Sequence, residues 1–307
     1  MRRLAPVLVP LLVACSTQSP ARDEPAPLVR PEPVPSASGA PLETAGESTD
    51  AATRAIVDTH EHFAHTRAPV PGKLPYFRRR GNSQEIVLTF DCAWVPEDRG
   101  LAVLDALREV NVSATFFVAG PFVIGPKGVV NPATTRLVRR IVEDGHEVGN
   151  HTRTHPHAAP TVDYGAELGS LEASWRSAVA AAFPEGAPRA AQMLPLWRAP
   201  YGEYDARALS AAAAAGFATH VGWNVDLQDS IGLPACPAAT ECLSAERETQ
   251  KVVRFARASP EADVIVVLAH LGAPYGFGRD PKGIRELVRT LRAEGRTFAK
   301  VSEVLAP

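Results

Sequence analysis

Between residues 86 and 301 short apolar runs alternate with helix-like segments, and this alternation limits the possible folds more than any other feature of the chain. The runs at 86–90, 115–118, 147–150, 196–198, 217–224, 264–269 and 298–301 read as strands. Between them, 96–110, 132–144, 164–182, 205–215, 245–258 and 282–293 read as helices, several closed by a glycine, Gly145, Gly216 or Gly295. Strands that alternate with helices imply a mostly parallel sheet, closed as a barrel or doubly wound. Seven strand candidates favour a barrel close to the (β/α)8 type, or one unit short of it.

Polar residues directly follow several of the apolar runs. Asp91 ends the first, His151 the third, Arg198 the fourth, Asp226 the fifth and His270 the sixth. In a parallel barrel such positions converge on one mouth, where chemistry is done. His151 and His155 are four apart, which brings both rings to one metal ion if the segment turns helically; alone, the spacing equally describes two surface histidines in a turn. His146 and His220 lie beside or within strands and read as structural, and His157 reads as either rim or solvent. The formal net charge is −2, and the one basic block, Arg78, Arg79 and Arg80, reads as a solvated face. That balance excludes nucleic acid as a partner and favours a small molecule or a neutral polymer.

The first residues, Met1-Arg2-Arg3, an apolar stretch and then Leu12-Val13-Ala14-Cys15, resemble a bacterial lipoprotein signal, 1–15, that would leave Cys15 lipidated. Residues 16–53 are rich in Pro, Ala, Ser, Thr and Glu and read as a disordered tether, followed by an extension at 54–85. The expectation is an exported, cell-envelope protein held to the membrane by its N-terminal lipid alone. In that setting Cys236 and Cys242 are expected to pair as a disulfide. His60 and His62 follow an apolar run as in amidohydrolase barrels, which is a minor alternative because Asp91, His151 and His270 have better roles.

Thr89-Phe90-Asp91, residues 114–120, residues 145–152 and His155-Pro156 resemble, in order and spacing, motifs of the polysaccharide deacetylase (NodB-homology) family. Residues 197–202, 226–229 and 268–270 are similar to its remaining motifs, so the resemblance spans 86–304 as a catalytic domain. It implies a distorted (β/α)7–8 barrel and metal-dependent removal of N-acetyl or O-acetyl groups from a carbohydrate, with peptidoglycan or another extracytoplasmic polysaccharide as partner. It further implies a divalent ion, usually Zn2+, on His151 and His155, with Asp91 as base and Arg198 orienting Asp91. His270 would be the acid, tuned by Asp229. The backbone N–H of Tyr201, stiffened by Pro200, would meet the oxyanion, and Trp223 and Leu268 would line the acetyl slot.

Two departures stand against the family pattern. Cys92 occupies the position of a metal-binding aspartate, before Ala93 where glycine is usual, and Ser230 stands where tryptophan is common. Three outcomes remain open: Cys92 ligates the ion, the site keeps two histidines plus water or another side chain with Cys92 in the core, or the site is degenerate. The last gives the non-enzymatic alternative, a carbohydrate-binding lipoprotein on the same fold.

Overall fold

The structure is a computed structural model that describes residues 83–230, 244–260, 262 and 264–305. The signal at 1–15 with Cys15, the tether at 16–53, His60 and His62, the arginines 78–80, all but the last residues of the 54–85 extension, and Cys236 and Cys242 lie outside the described residues.

The strand and helix order follows the sequence pattern. Strand β1 (Glu85–Cys92) leads to α1 (Glu97–Glu109), β2 (Thr115–Val118), α2 (Thr135–Glu143), β3 (Glu147–Asn150) and α3 (Tyr164–Ala182). Then come β4 (Leu196–Trp197), α4 (Ala206–Ala214), β5 (Thr219–His220), β6 (Val225–Asp226), α5 (Ala245–Ala258), β7 (Val264–His270), α6 (Lys282–Ala293) and β8 (Thr297–Ala299). Helices α3, α4 and α5 start on side-chain caps: Asp163, Asp205 and Ser244 each accept a hydrogen bond from the backbone N–H three residues on. Gly145, Gly216 and Gly295 follow α2, α4 and α6 at φ of 75°, 93° and 79°, the left-handed conformation that lets a helix stop without a Cβ clash.

All the strand pairings are parallel and run in the order β5-β4-β3-β2-β1-β7-β6, with β8 also on β1. Central β1 carries β7 along one edge, while β8 takes its first residues, Glu85 to Val87, and β2 its last, Thr89 to Cys92. Every residue of β1 is therefore buried, as expected of a strand enclosed on both faces. Along it the side chains alternate. Ile86, Leu88, Phe90 and Cys92 face the helices, in a layer with Leu104, Leu107, Leu137 and Ile141, while Val87 faces an inner cluster with Phe117, Val266 and Leu268. Truncating Leu104 or Leu107 to alanine in the helix-facing layer would cost about 2–5 kcal/mol.

The run read as one strand at 217–224 holds only the short β5, and β6 follows just beyond it. Residues 219–220 pair with β4 and residues 225–226 pair with β7, so this single segment touches both ends of the sheet and joins them around the interior. Between them the ladder gives way to side chains: Arg198 donates to the carbonyls of Val221 and Gly222, and Asn224 Oδ1 accepts from the Val266 N–H. A distorted barrel results, with β5 and β6 at the two ends of the sheet.

Candidate active site

Asp91 stands at the C-terminal end of β1 and shares its inward parity with Val87 and Thr89. Its carboxylate meets Arg198, which follows β4: Nη1 donates to Asp91 Oδ1 at 2.9 Å while Nε and Nη2 reach the Val221 and Gly222 carbonyls at 3.0 and 3.3 Å. Arg198 is wholly buried, with its guanidinium carbon 4.3 Å from the Phe117 ring centre and 5.4 Å from that of Trp223. A buried cation needs such partners on every donor. Burial alone raises the Asp91 pKa, but the charges of His151, Arg198 and His270, with the Arg198 hydrogen bond, more than reverse this, so the carboxyl stays ionised.

His151 leaves β3 and is also buried. Its Nδ1 donates to the Arg198 carbonyl at 2.9 Å, and its Nε2 lies 3.3 Å from Asp91 Oδ2. The segment to His155 is not a helical turn, as the spacing suggested. Thr152 and His155 have φ of 67° and 56°, and the two rings approach edge to face with centres 4.8 Å apart. What shapes this turn is Asn150, fully buried, whose Oδ1 accepts the Thr152 N–H while Nδ2 donates to the Leu168 carbonyl. Gly120 seals it from the other side, since a Cβ there would lie 1.9 Å from the Arg153 carbonyl oxygen. Burial, then the His151 charge, lowers the His155 pKa to about 4, which keeps the ring neutral.

On the next strand β7, in register with Asp91, His270 pairs with Asp229. Asp229 Oδ1 lies 2.7 Å from His270 Nδ1, and its Oδ2 accepts the His270 N–H at 2.8 Å. Burial opposes charge on this ring, but the Asp229 charge and hydrogen bond, with Asp91 and Asp226 behind them, prevail and push its pKa up to about 9. Asp226 itself turns its Oδ1 to the Gln228 N–H, shaping the loop that delivers Asp229. Beside Asp229 lies Glu248, buried, accepting from the Phe277 N–H and raised to about 9 by burial and then by the Asp229 charge.

At the mouth, Tyr201 follows Pro200 in a turn with φ of 59°, and among the described residues no acceptor meets its backbone N–H. Its ring is half-exposed, stacked on His157 with centres 3.7 Å apart and planes 7° apart. Trp223 and Leu268 sit together in the inner cluster. His146 and His220 are elsewhere: each accepts a backbone N–H, from Ala114 and Ala199, and burial lowers them to about 4 and about 3.

Cys92 is not brought to the histidines. The strand's alternation turns it to the helix-facing layer, fully buried, with Sγ 3.5 Å from the Phe90 carbonyl, and burial followed by the Asp91 charge pushes its pKa well up. A metal ion is implied for this site. His151 and His155, both neutral and close-set, suit a divalent ion in kind and Asp91 adds an oxygen beside them, but the described residues gather no group of three or more His, Cys, Asp or Glu to hold one. Sequence reasoning missed Asn150 as part of this region, although the motif around His151 contained it.

With this geometry in view, residues 78–220 match the family model described as polysaccharide deacetylase. Over those residues the chain is similar to this family. It is 35% identical over 162 residues to a chitooligosaccharide deacetylase of Bradyrhizobium sp. (strain ANU 289), a match covering 51% of this chain and 66%, just under two thirds, of that protein. It is 27% identical to a family 4 carbohydrate esterase from Streptomyces lividans solved in complex with acetate, with a TM-score of 0.51 over 71% of this chain and 92% of that one. A CE4 family pseudoenzyme from Bacillus anthracis shares the family fold, at TM-score 0.55 and 21% identity over 76% of this chain and 70% of that one.

Proposed function

We propose that this chain hydrolyses acetyl groups from an N-acetylated hexosamine glycan outside the cytoplasm. The observation that carries the reading is the pairing of Asp91 on β1 with Arg198 and of His270, in register with it on β7, with Asp229, contacts that favour an ionised carboxyl beside a protonated imidazole. Asp91 takes a proton from the attacking water as its oxygen bonds the acetyl carbon. The Tyr201 N–H meets the oxygen that becomes negative, and His270 gives its proton to the departing amine as the carbon–nitrogen bond breaks, leaving acetate and a free amine. A divalent ion, Zn2+ in this proposal, held by His151 and His155, would supply carbonyl polarisation and a more acidic water. The apolar wall of Trp223 and Leu268 suits an acetyl methyl.

The relatives' names support a chitooligosaccharide-like substrate, with peptidoglycan the larger polymer of the same chemistry. Acetate release from N-acetylglucosamine oligomers and from peptidoglycan, with and without chelator, tests the reading; no acetate from either would sink it. A second reading, glycan binding without turnover, rests on the seclusion of Cys92 and the absence of a three-ligand group among the described residues, and predicts binding of the same oligomers without acetate. The proposal places the protein in the cell envelope, lipid-anchored through Cys15. Among the described residues no helix is long and apolar enough to cross a membrane, so the lipid carries the anchoring in this reading. Cys15→Ser should move the protein from the membrane fraction to the soluble exported fraction.

A further inference from the structure

Among the described residues three large apolar side chains stand exposed, Trp94, Val129 and Tyr201, at 74%, 61% and 44%. Two of them lie near His155. The Trp94 ring centre is 6.3 Å from that of His155, and the Tyr201 ring centre is 4.8 Å from it. An indole left in water at the rim of a polar site gives up the burial that the other three tryptophans, Trp175, Trp197 and Trp223, all obtain. Chance solvent exposure would also leave such a ring on a loose loop, and here the loop is fixed at both ends.

Trp94 sits in the short connection from β1 to α1. Val95 packs against the helix-facing core, and Pro96 accepts the Gly100 N–H to start α1. Arg99 ties α1 to the Ala273 carbonyl at 3.2 Å, and Gly272, at φ of 67°, lies so close that a Cβ would meet Val95 at 3.0 Å and Pro96 at 3.4 Å. The Tyr201 ring is also held: His157 covers one face of it, and Glu203 holds His157 and accepts the Ala158 N–H at 2.9 Å. Rigid aromatic rings presented to solvent beside a site need no reordering when a ligand arrives.

We propose that Trp94 is a stacking platform for a neighbouring sugar of the glycan, with the Tyr201–His157 pair as a second aromatic surface beside His155, so that the site grips at least two sugar units. A β-linked hexosamine presents flat C–H faces that suit an aromatic face, while its hydroxyl and acetamido groups project from the rim of the ring. The platform would thus select polymer over monomer and hold the acetylated unit over His155. This inference rests on the proposed deacetylation of a hexosamine glycan and adds the subsite that selects its length.

The N-acetylglucosamine pentamer, followed by iodide quenching of tryptophan emission, tests it in the full-length protein. Trp94 is the one exposed tryptophan of the four, so iodide should quench part of the wild-type emission and the pentamer should protect that part. Trp94→Ala should remove the iodide-sensitive part and raise KM for the pentamer about tenfold, with kcat and the hydrolysis of 4-nitrophenyl acetate unchanged; Trp94→Phe should restore most of the loss. An unchanged pentamer KM in Trp94→Ala, or no protection by the pentamer, overturns the platform. Wild-type emission insensitive to iodide before sugar is added also overturns it, because another surface then covers the ring. Acetate release is read separately: turnover without Trp94-dependent binding sinks the platform alone, and Trp94-dependent binding without turnover sinks the deacetylase reading alone.

Discussion

Asp91 and Cys92 are bonded neighbours at the end of one strand, yet they belong to opposite layers of the molecule. Asp91 points inward, where Arg198, His151 and the next strand's His270 surround it with positive or polar groups. Cys92 points outward into a layer of leucine, valine and phenylalanine, where nothing solvates a charge. Residue 92, where the motif resemblance led to the expectation of a metal ligand, is thus part of the packing between sheet and helices. The difference shows that the pleat assigns bonded neighbours to opposite layers, so a residue next to a site residue in sequence need not join the site.

The largest effect should come from the inward neighbour. Asp91→Asn keeps the shape and the Arg198 contact but removes the base, and should lower kcat by about two to four orders of magnitude with the fold unchanged by circular dichroism. Near-normal turnover would mean that the inward face does not do the proton transfer. His270→Ala should cost about two to three orders and remove the alkaline limb of the rate profile, which in the wild type should fall as pH rises through about 9. The same ring bears on stability. Its folded pKa is raised above the ordinary 6.5, so its contribution is complete below about 6.5 and is lost as pH rises through about 9, and Asp229→Asn should flatten that dependence in thermal melts.

The outward neighbour should respond in stability rather than rate. Cys92→Asp puts a carboxyl among apolar side chains beside the Asp91 charge, and should destabilise the fold by about 3 kcal/mol or more in urea unfolding. A variant instead more stable with added zinc would place residue 92 at the metal after all. The smallest effect is expected from Cys92→Ser, about 1–2 kcal/mol of stability with metal affinity unchanged when metal is titrated into the apo protein. A parallel loss of metal affinity would erase the distinction between the two faces.

Much of the fold was legible before any coordinate. The six helices appear within a few residues of their sequence limits, because each combines an apolar stripe with caps or a closing glycine, all local signals. The strand ends carrying Asp91, His151, Arg198 and His270 were legible for a similar reason: an apolar run stops where the strand leaves the sheet, and the polar residue that follows lies at the strand's C-terminal end. The resemblance of the motifs added roles to those positions. None of this needed knowledge of which strands touch.

What the tertiary structure alone decided depends on contacts between distant segments. Residues 217–224 look like one strand because hydropathy is blind to pairing, yet 219–220 lie against β4 while 225–226, just beyond, lie against β7, and Arg198 fills the gap in the ladder. His151 and His155 meet through a turn with two left-handed residues, held by Asn150 and the bare backbone of Gly120 rather than by helical spacing. Cys92 could be read as ligand or core until its strand had neighbours on both edges, since composition does not say which face of a pleat meets the helices. Trp94 became a site residue only when the fold left it exposed beside His155. The sequence by itself determined the elements and the chemical groups at their ends, because those are properties of contiguous residues; the folded chain decided which groups face one another, because side-chain direction is settled only when sheet and helices close on a common core.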